Sequence, residues 1–302
     1  EDWNMWTRIL KRWDAGYVAE PLAYYRVHTG QAGSIFRTTH PRSLEANRRL
    51  QLEEVFAAER PEAISHQAAL ANVRASMEDP ITYAEVNILG SLALLELARK
   101  YGCRRFIYAS TGGAVYGEPE WVPVTEDHPI NPLDPYGSSK HAVEHYLYLY
   151  QRHYGLSYVS LRYPNVYGPR QDPLGEAGVV AIFTGLMLQG KQPVINGSGE
   201  QQRDFVYVGD IARANVLALE RGAGIYNIGS GIPTDVNTIF ADLKAATGYP
   251  GEARHGPAKQ GEVFRIYLDA RRANQELGWQ PTVSVREGLT RTVAYFRQHP
   301  ST

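Results

Sequence analysis

A tyrosine and a lysine four positions apart are the residues of this chain best suited to acid–base chemistry. Tyr136 and Lys140 follow Asp134-Pro135, a typical helix start, and no Pro or Gly interrupts residues 138–150. Side chains four apart share one helix face and lie roughly 5–6 Å from each other. Because a fixed ammonium at that distance favours a phenolate, the pKa of the tyrosine would fall from its usual ~10 towards neutrality. The pattern therefore predicts that Tyr136 is a general base.

The Tyr-x-x-x-Lys spacing is a weak signal by itself, and its surroundings strengthen it. With six lysines and 20 tyrosines among 302 residues, chance gives about 0.4 such pairs. Residues 105–109 are predicted to form a strand that ends at the hydroxyl-bearing pair Ser110-Thr111. Open α/β sheets bind their ligands at the carboxyl ends of the strands. We therefore expect this pair to hold a substrate hydroxyl in line with Tyr136.

Three stretches of sequence together indicate a family. They are Phe106-Ile-Tyr-Ala-Ser-Thr-Gly-Gly-Ala-Val-Tyr-Gly117, Tyr136-Gly-Ser-Ser-Lys140 and Leu161-Arg-Tyr-Pro-Asn-Val-Tyr-Gly-Pro-Arg170. In this series the chain resembles the extended short-chain dehydrogenase/reductases, and within them the UDP-glucose 4-epimerases. The resemblance implies an α/β fold with a Rossmann-like parallel sheet and a small C-terminal substrate-binding subdomain. It also implies an NAD-dependent nucleotide-sugar epimerase whose substrates are UDP-glucose and UDP-galactose.

The resemblance also implies roles for individual residues. Tyr136 would take the C4 hydroxyl proton while NAD accepts the C4 hydride, and Lys140 would lower the tyrosine pKa and bind the nicotinamide ribose. The catalytic hydroxyl is expected from Thr111, with Ser110 as the second choice, because Gly112 stands where the best-known epimerases carry a serine. The implied cofactor-binding residues are Ala68, Ala69, Asn87, Ala109, Tyr136, Lys140, Tyr163 and Pro164. The implied substrate-binding residues are Asn165, Val179, Arg203, Lys259 and Glu262.

The predicted domain organisation has two parts of different character. Residues 1–50 resemble the closing section of a family 2 glycosyltransferase domain, in which an acidic pair like Glu1-Asp2 supplies the catalytic base. Residues 51–302 resemble the epimerase. There the nucleotide-binding core is expected mainly at residues 51–170 and 204–230, and the substrate-binding part mainly at residues 171–203 and 231–302.

The epimerase-like part lacks the strand, glycine-rich turn and helix that hold the cofactor pyrophosphate at the start of this family. We therefore expect residues 63–69, the fourth strand of the usual sheet, to form an open parallel edge unless residues 1–50 or a partner cover it. This absence favours an alternative, a catalytically inactive truncated or fused product that at most binds a nucleotide sugar. A nucleotide-sugar 4,6-dehydratase is a second alternative, although that class carries an acidic pair where Gly112-Gly113 stand. A glycosyltransferase ranks below both.

Two other patterns resemble functional sites, but we expect neither to bind a cofactor or a metal. Gly229-Ser-Gly231 follows a predicted strand like the start of a dinucleotide fingerprint, yet Thr234 occupies the third glycine position. His141 and His145 have the spacing of zinc ligands, but no third ligand is evident in the sequence. We expect no metal, and we expect this stretch, Glu144 included, to be a solvated or interface face of the helix.

Composition and charge exclude several classes of protein. A hydrophobic content of 43 %, a charged content of 21 % and a net charge of −1 are ordinary for a globular domain and give no footprint for nucleic acid or anionic membrane. From the sequence, no apolar run is expected to reach the ~20 residues of a membrane span. The single cysteine, Cys103, suits a cytoplasmic protein. The resemblance adds a homodimer paired through residues 81–100 and 138–150.

Overall fold

Ten strands and nine helices are found in the part of the chain that the computed structural model describes, residues 52–173, 178–258 and 263–299. The strands are β1 (Ala63–His66), β2 (Arg105–Thr111), β3 (Ser157–Tyr163), β4 (Asn165–Tyr167), β5 (Val194–Asn196), β6 (Gln202–Arg203), β7 (Phe205–Tyr207), β8 (Gly224–Asn227), β9 (Thr234–Asp235) and β10 (Arg254–Gly256). The helices are α1 (residues 52–59), α2 (Val73–Glu78), α3 (Pro80–Tyr101), α4 (Pro135–Tyr154), α5 (Val179–Leu188), α6 (Val208–Glu220), α7 (Val236–Thr247), α8 (Arg271–Leu277) and α9 (Val285–Gln298).

The central feature is a parallel sheet with the strand order β1-β2-β3-β8. All seven residues of β2 are buried, as expected for a central strand of a parallel sheet that is covered on both faces. The predicted α/β class with a Rossmann-like parallel sheet is confirmed. Among the described residues β1 is an edge strand, with β2 as its only partner.

Helices cover both faces of this sheet. On one face α3 and α4 pack through a cluster of apolar side chains that includes Leu95 and Phe106. On the other face α6 and α8 pack through a second cluster that includes Ile107 and Trp279. Phe106 and Ile107 are neighbours on β2 and belong to different clusters because successive side chains of a strand point to opposite faces.

A third apolar cluster lies among α5, α7 and α9 and the paired strands β4 and β7. Its larger members are Tyr167, Phe183, Met187, Ile195, Phe205, Ile239, Phe240, Leu243 and Leu289. We propose that this cluster is the core of the smaller, substrate-binding subdomain. The boundaries given above for the two parts of the chain stay predictions.

Helix α4 starts where the sequence predicts. The Asp134 side chain caps it by accepting a hydrogen bond of 2.7 Å from Gly137 N, and Pro135 occupies the first turn, where no N–H partner is needed. The helix continues past residue 150 and ends at Gly155, whose left-handed backbone (φ 71°) closes it. The capping fixes the position at which the first turn of α4 meets the sheet.

Helix α3 has an irregular middle. Its residues Ala84–Leu89 form a π-helical turn that contains the buried Asn87, and such turns are frequent at functional sites. Contrary to the expectation from sequence, α3 is long and apolar enough to cross a membrane, but 44 % of its apolar window is buried inside the fold. Buried core helices meet the same criterion, so the evidence for a membrane span is weak.

Replacing Gly117 by Ala is expected to lower the free energy of unfolding by about 3 kcal/mol. Gly117 has a left-handed backbone (φ 67°), and a Cβ there would lie 2.0 Å from Asn131 O. The backbone conformation alone costs a non-glycine residue on the order of 1–3 kcal/mol. Urea unfolding of the variant and of wild type measures the difference.

Gly102→Ala is the matched control for this substitution. Gly102 has a similar φ of 73°, but nothing lies within 4 Å of a Cβ built there. The control therefore isolates the backbone term, and we expect it to cost about 1 kcal/mol. If both variants lost the same free energy of unfolding, the contact between the new Cβ and Asn131 O would contribute nothing to the loss in Gly117→Ala.

Candidate active site

A pocket of about 830 Å³ lies at the carboxyl ends of β1, β2 and β3. Parallel α/β sheets bind their ligands at this edge. The residues predicted for the site that line this pocket are Ala69, Ala109, Ser110, Thr111, Tyr136, Lys140, Tyr163, Pro164, Asn165, Val179 and Arg203. Ala68 and Asn87 were also predicted but are not among the lining residues, and Lys259 and Glu262 lie outside the described residues.

Lys140 lies at the base of the pocket and is 2 % exposed. Its Nζ donates a hydrogen bond of 2.8 Å to Ala109 O and lies 4.8 Å from the centre of the Tyr108 ring. Burial lowers the pKa of Lys140 to about 7, and the negative charge of Glu144 opposes this change. The side chain therefore exchanges its charge in the physiological pH range.

Tyr136 is half-buried in the first turn of α4 and lines the same pocket. The next residue, Gly137, allows this turn to approach the loop after β2 closely, since a Cβ on it would lie 2.9 Å from Ala114 O. The close approach holds the start of α4, and with it the phenol, beside the end of β2. The structure thus brings Tyr136 and Lys140 into one pocket, as predicted from their spacing.

The hydroxyl pair forms the last two residues of β2, where the sequence analysis placed it just beyond the strand. Ser110 and Thr111 are both buried and both line the pocket. Ser110 Oγ lies beside the Glu144 carboxylate, and its interaction with this carboxylate helps to lower the pKa of Glu144. The choice between Thr111 and Ser110 as the catalytic hydroxyl stays a prediction.

Asn87 supports the wall of the pocket from behind. Its side chain is 1 % exposed, accepts a hydrogen bond of 2.9 Å from Leu70 N and donates one of 3.0 Å to Leu70 O. It also donates to Ser139 Oγ at 2.9 Å. Asn87 thereby joins α3 to α4 and to the loop after β1, which carries Ala69. The contact between Asn87 and the cofactor that the resemblance implies stays a prediction.

Glu144 is a buried residue whose environment the sequence analysis did not foresee, because the expectation of a solvated or interface helix face is wrong for it. The carboxylate is 3 % exposed and accepts hydrogen bonds of 3.0 and 2.7 Å from the Arg162 guanidinium and of 2.9 Å from Ser160 Oγ. Burial would raise the pKa of Glu144, but the hydrogen bonds from His141 and Arg162 and the charge of Arg162 lower it to about 2. Glu144 and Arg162 form a buried ion pair between α4 and β3.

This ion pair continues into a buried hydrogen-bonded network. Arg162 Nη1 donates to Tyr116 Oη at 2.8 Å, and Tyr116 Oη donates to Asn227 Oδ1 at 2.7 Å. Asn227 Nδ2 in turn donates to Val124 O at 2.9 Å. The network crosses the sheet from α4 to β8 and fixes the loop after β2 that carries Tyr116.

The two patterns set aside in the sequence analysis have structural partners. Ser230 N and Gly231 N, in the Gly-x-Gly turn, donate to the buried carboxylate of Asp204 at 2.9 and 3.1 Å. His145 is exposed, and its Nε2 lies 3.0 Å from Nε2 of His141. Within the described ranges, no group of three or more His, Cys, Asp or Glu side chains could hold a metal ion.

Known proteins share this sequence and this fold. Residues 23–229 match the protein family described as NAD dependent epimerase/dehydratase. The chain is 42 % identical over 240 residues to the UDP-glucose 4-epimerase of Mycolicibacterium smegmatis, which covers 79 % of this chain and 77 % of that protein.

Two crystal structures of UDP-glucose 4-epimerases are similar to this fold. The enzyme from Thermotoga maritima with UDP-glucose has a TM-score of 0.82 at 49 % identity, over 84 % of this chain and 82 % of that one. The enzyme from Thermus thermophilus in complex with NAD has a TM-score of 0.79 at 45 % identity, over 83 % and 82 %.

These similarities confirm the family that the three sequence stretches indicated. The match to the family begins at residue 23, inside the segment that resembles a glycosyltransferase, and that second resemblance stays a prediction. The chain therefore belongs to the NAD dependent epimerase/dehydratase family.

Proposed function

We propose that this protein is an NAD-dependent nucleotide-sugar epimerase that interconverts UDP-glucose and UDP-galactose. The observation that carries the proposal is the meeting of Tyr136, Lys140 and the Ser110-Thr111 hydroxyls in one pocket at the carboxyl edge of the sheet. A base, a cation that controls it and a hydroxyl to orient the substrate are the groups needed to remove a proton from a sugar hydroxyl.

In the proposed mechanism Tyr136 Oη accepts the proton of the sugar C4 hydroxyl. In its protonated form Lys140, held by Ala109 O, places a positive charge beside the phenol, and this charge favours the phenolate. Thr111 or Ser110 hydrogen-bonds the same sugar hydroxyl and aligns it with Tyr136. Bound NAD supplies the hydride chemistry by taking a hydride from C4 and returning it. After the 4-keto sugar has turned over in the pocket, so that the hydride would return to the other face of C4, Tyr136 gives the proton back to the C4 oxygen.

The pocket fits the nicotinamide end of the cofactor. Lys140 makes a single hydrogen bond among the described residues, to Ala109 O, so its ammonium has donors left for the hydroxyls of a ribose. The methyl side chains of Ala69 and Ala109 leave room for a ring beside Tyr163 and Pro164. The amides of the turn at Gly231 are engaged by Asp204. We therefore place the cofactor along β1 and β2 and not at that turn.

The same pocket has groups suited to the rest of a UDP-sugar. Arg203 lines it, and a guanidinium suits bidentate binding of a diphosphate. Its Nη1 donates to Gln202 O at 2.9 Å, which anchors the head group at the pocket rim. Asn165 and Val179 also line the pocket and complete the proposed substrate contacts there. Lys259 and Glu262 are retained as proposed substrate contacts from the sequence alone.

We further propose that the protein is a cytoplasmic homodimer. Large apolar side chains are exposed on the two helices expected to pair: Ile81 and Leu89 on α3 are 70 % and 40 % exposed, and Tyr148 and Leu149 on α4 are 56 % and 42 % exposed. Exposed apolar patches of this kind mark association surfaces.

Gly112 argues against the 4,6-dehydratase alternative. That class is expected to carry an acidic pair at Gly112-Gly113, but a Cβ on Gly112 would lie 2.4 Å from Leu268 Cδ1. A side chain at Gly112 would therefore require the buried Leu268 side chain to move. The inactive alternative predicts the same pocket without turnover, so only an assay separates it from the epimerase.

The test incubates the purified chain with NAD and UDP-galactose and follows the formation of UDP-glucose. We expect UDP-glucose to accumulate to equilibrium and UDP-galactose to form from UDP-glucose in the reverse direction. Binding of UDP-galactose in calorimetry without any conversion, with NAD present in excess, would instead support the inactive nucleotide-sugar-binding alternative. A dehydrated 4-keto-6-deoxy product would support the dehydratase.

A further inference from the structure

Glu144 lies one helical turn beyond Lys140 on the same face of α4, and both side chains are buried against the sheet. Residues four apart on a helix are neighbours. The Glu144 carboxylate cannot turn away from Lys140, because Arg162 of β3 engages both of its oxygens and Ser160 engages one of them. A fixed negative charge therefore lies one helical turn from the lysine, on a residue that does not line the pocket.

The other titratable groups around Lys140 carry no compensating charge. His66 on β1 is buried, and burial together with the Lys140 charge lowers its pKa to about 3, so the ring is neutral. Tyr108 on β2, whose ring lies under the ammonium, has a pKa raised well above its usual value by burial. Tyr136, on α4 itself, is the proposed base whose phenolate the lysine charge favours. Glu144 is thus the anion that faces Lys140 from the interior.

The groups that face Glu144 allow its carboxylate to stay negatively charged. They are His141 on α4, Ser110 and Tyr108 on β2, and Tyr158, Ser160 and Arg162 on β3. The pKa of Tyr158 is raised by burial, so Tyr158 is neutral. Arg162 is the permanent cation of this set, and its guanidinium donates hydrogen bonds to Glu144 and to Tyr116.

We propose that Glu144 is a positioning residue for the reaction: its carboxylate, clamped by Arg162 and Ser160 one turn from Lys140, keeps the lysine ammonium charged in a buried site. The consequence for catalysis rests on the proposed function, because the ammonium matters only through the base Tyr136. The electrostatic coupling itself does not depend on any activity. A purely structural ion pair would hold α4 against β3 and leave the charge of Lys140 unaffected.

The test is a titration of Lys140 by NMR in protein labelled with ¹³C-lysine. The chain has six lysines, and a Lys140→Met variant identifies the signal. In wild type we expect a pKa of about 7. In Glu144→Gln, which keeps the shape and removes the charge, we expect it to fall by about one to two units, the effect of two unit charges ~6 Å apart at an effective dielectric constant of ~20.

Ser160→Ala is the matched control. It removes a hydrogen bond to the same carboxylate, and the smaller side chain leaves the charge in place. We expect the Lys140 titration to stay within about 0.3 units of wild type. A double variant, Glu144→Gln with Arg162→Met, replaces the whole ion pair by neutral groups. It serves should the single variant fail to fold, because neutral replacements of buried ion pairs are often tolerated. Since it also removes the Arg162 cation, we expect the Lys140 pKa to fall by less than in Glu144→Gln and still to lie below the wild-type value.

Activity gives a second, independent reading. If the chain is an epimerase, the alkaline limb of its kcat profile, where Lys140 loses its proton, should move to lower pH in Glu144→Gln and not in Ser160→Ala. An unchanged Lys140 titration in folded Glu144→Gln, or an equal change in Ser160→Ala, would overturn the proposal whether or not the chain is active. A shifted titration in an inactive chain would uphold the coupling and reject only the proposed function.

Discussion

Replacing Tyr136 by Phe is expected to lower kcat for the conversion of UDP-galactose by about 10²–10⁴-fold, the usual contribution of a general base. The phenyl ring keeps the packing of the first turn of α4, so the pocket wall stays in place. Only the oxygen that accepts the C4 proton is lost. Affinity for UDP-galactose should therefore stay within about threefold of wild type, which corresponds to less than ~0.7 kcal/mol. Steady-state kinetics and calorimetry on the same protein separate the two effects.

Tyr150→Phe is the matched control, since it makes the same substitution on the same helix. Tyr150 lies near the far end of α4, where its hydroxyl donates to Glu96 Oε1 at 2.5 Å. It does not line the pocket. We expect turnover within about twofold of wild type and a loss of stability of about 1 kcal/mol from the missing hydrogen bond. Turnover that survives in Tyr136→Phe would remove Tyr136 from the mechanism, and Ser110 or Thr111 would have to be tested as the base.

Local signals explain what could be predicted about the fold. The start of α4 follows from Asp134-Pro135, and the cap is formed as those residue types predict. The apolar spacing of residues 179–188 and of residues 285–298 likewise predicts helices, and the structure has α5 (Val179–Leu188) and α9 (Val285–Gln298) at these places. The residues that determine where these helices begin and end lie within a few positions of one another along the chain, and sequence patterns are informative over that range.

Contacts between distant residues explain what was missed. Residues 202–208 are predicted to form one strand, but Asp204 separates β6 from β7 because its carboxylate binds backbone amides of the turn at Ser230 and of Leu268. One feature of the sequence does indicate that Glu144 lies near Lys140, namely its position four residues later on the same helix. The sequence does not show that Arg162, on a strand of apolar neighbours, faces it. Without that partner, a carboxylate beside His141 is expected on the surface.

Glu144 and Arg162 also provide the largest expected effect on stability. Arg162→Met is expected to lower the free energy of unfolding at pH 7 by about 3–5 kcal/mol, because it leaves a buried carboxylate without its counter-charge. Both side chains are 2 % exposed, so solvent cannot replace the lost partner. The double variant with Glu144→Gln should recover most of this loss. Urea unfolding of the two single variants and the double variant yields the coupling energy of the pair.

The pH dependence of stability has a definite sign for this pair. In wild type the pKa of Glu144 is lowered from 4.5 to about 2, so its contribution is complete above pH ~4.5 and is lost as the pH falls towards 2. In Arg162→Met burial outweighs the remaining hydrogen bonds and the folded-state pKa rises above the unfolded value. The variant should then lose stability as the pH rises through that raised pKa, where wild type gains it. Parallel pH profiles for wild type and Arg162→Met would mean that Arg162 does not hold the charge of Glu144. The charge of the carboxylate next to Lys140 would then depend on Ser160, His141 and Ser110. Individual hydrogen bonds of this kind are too weak to hold a charge at a site this deeply buried.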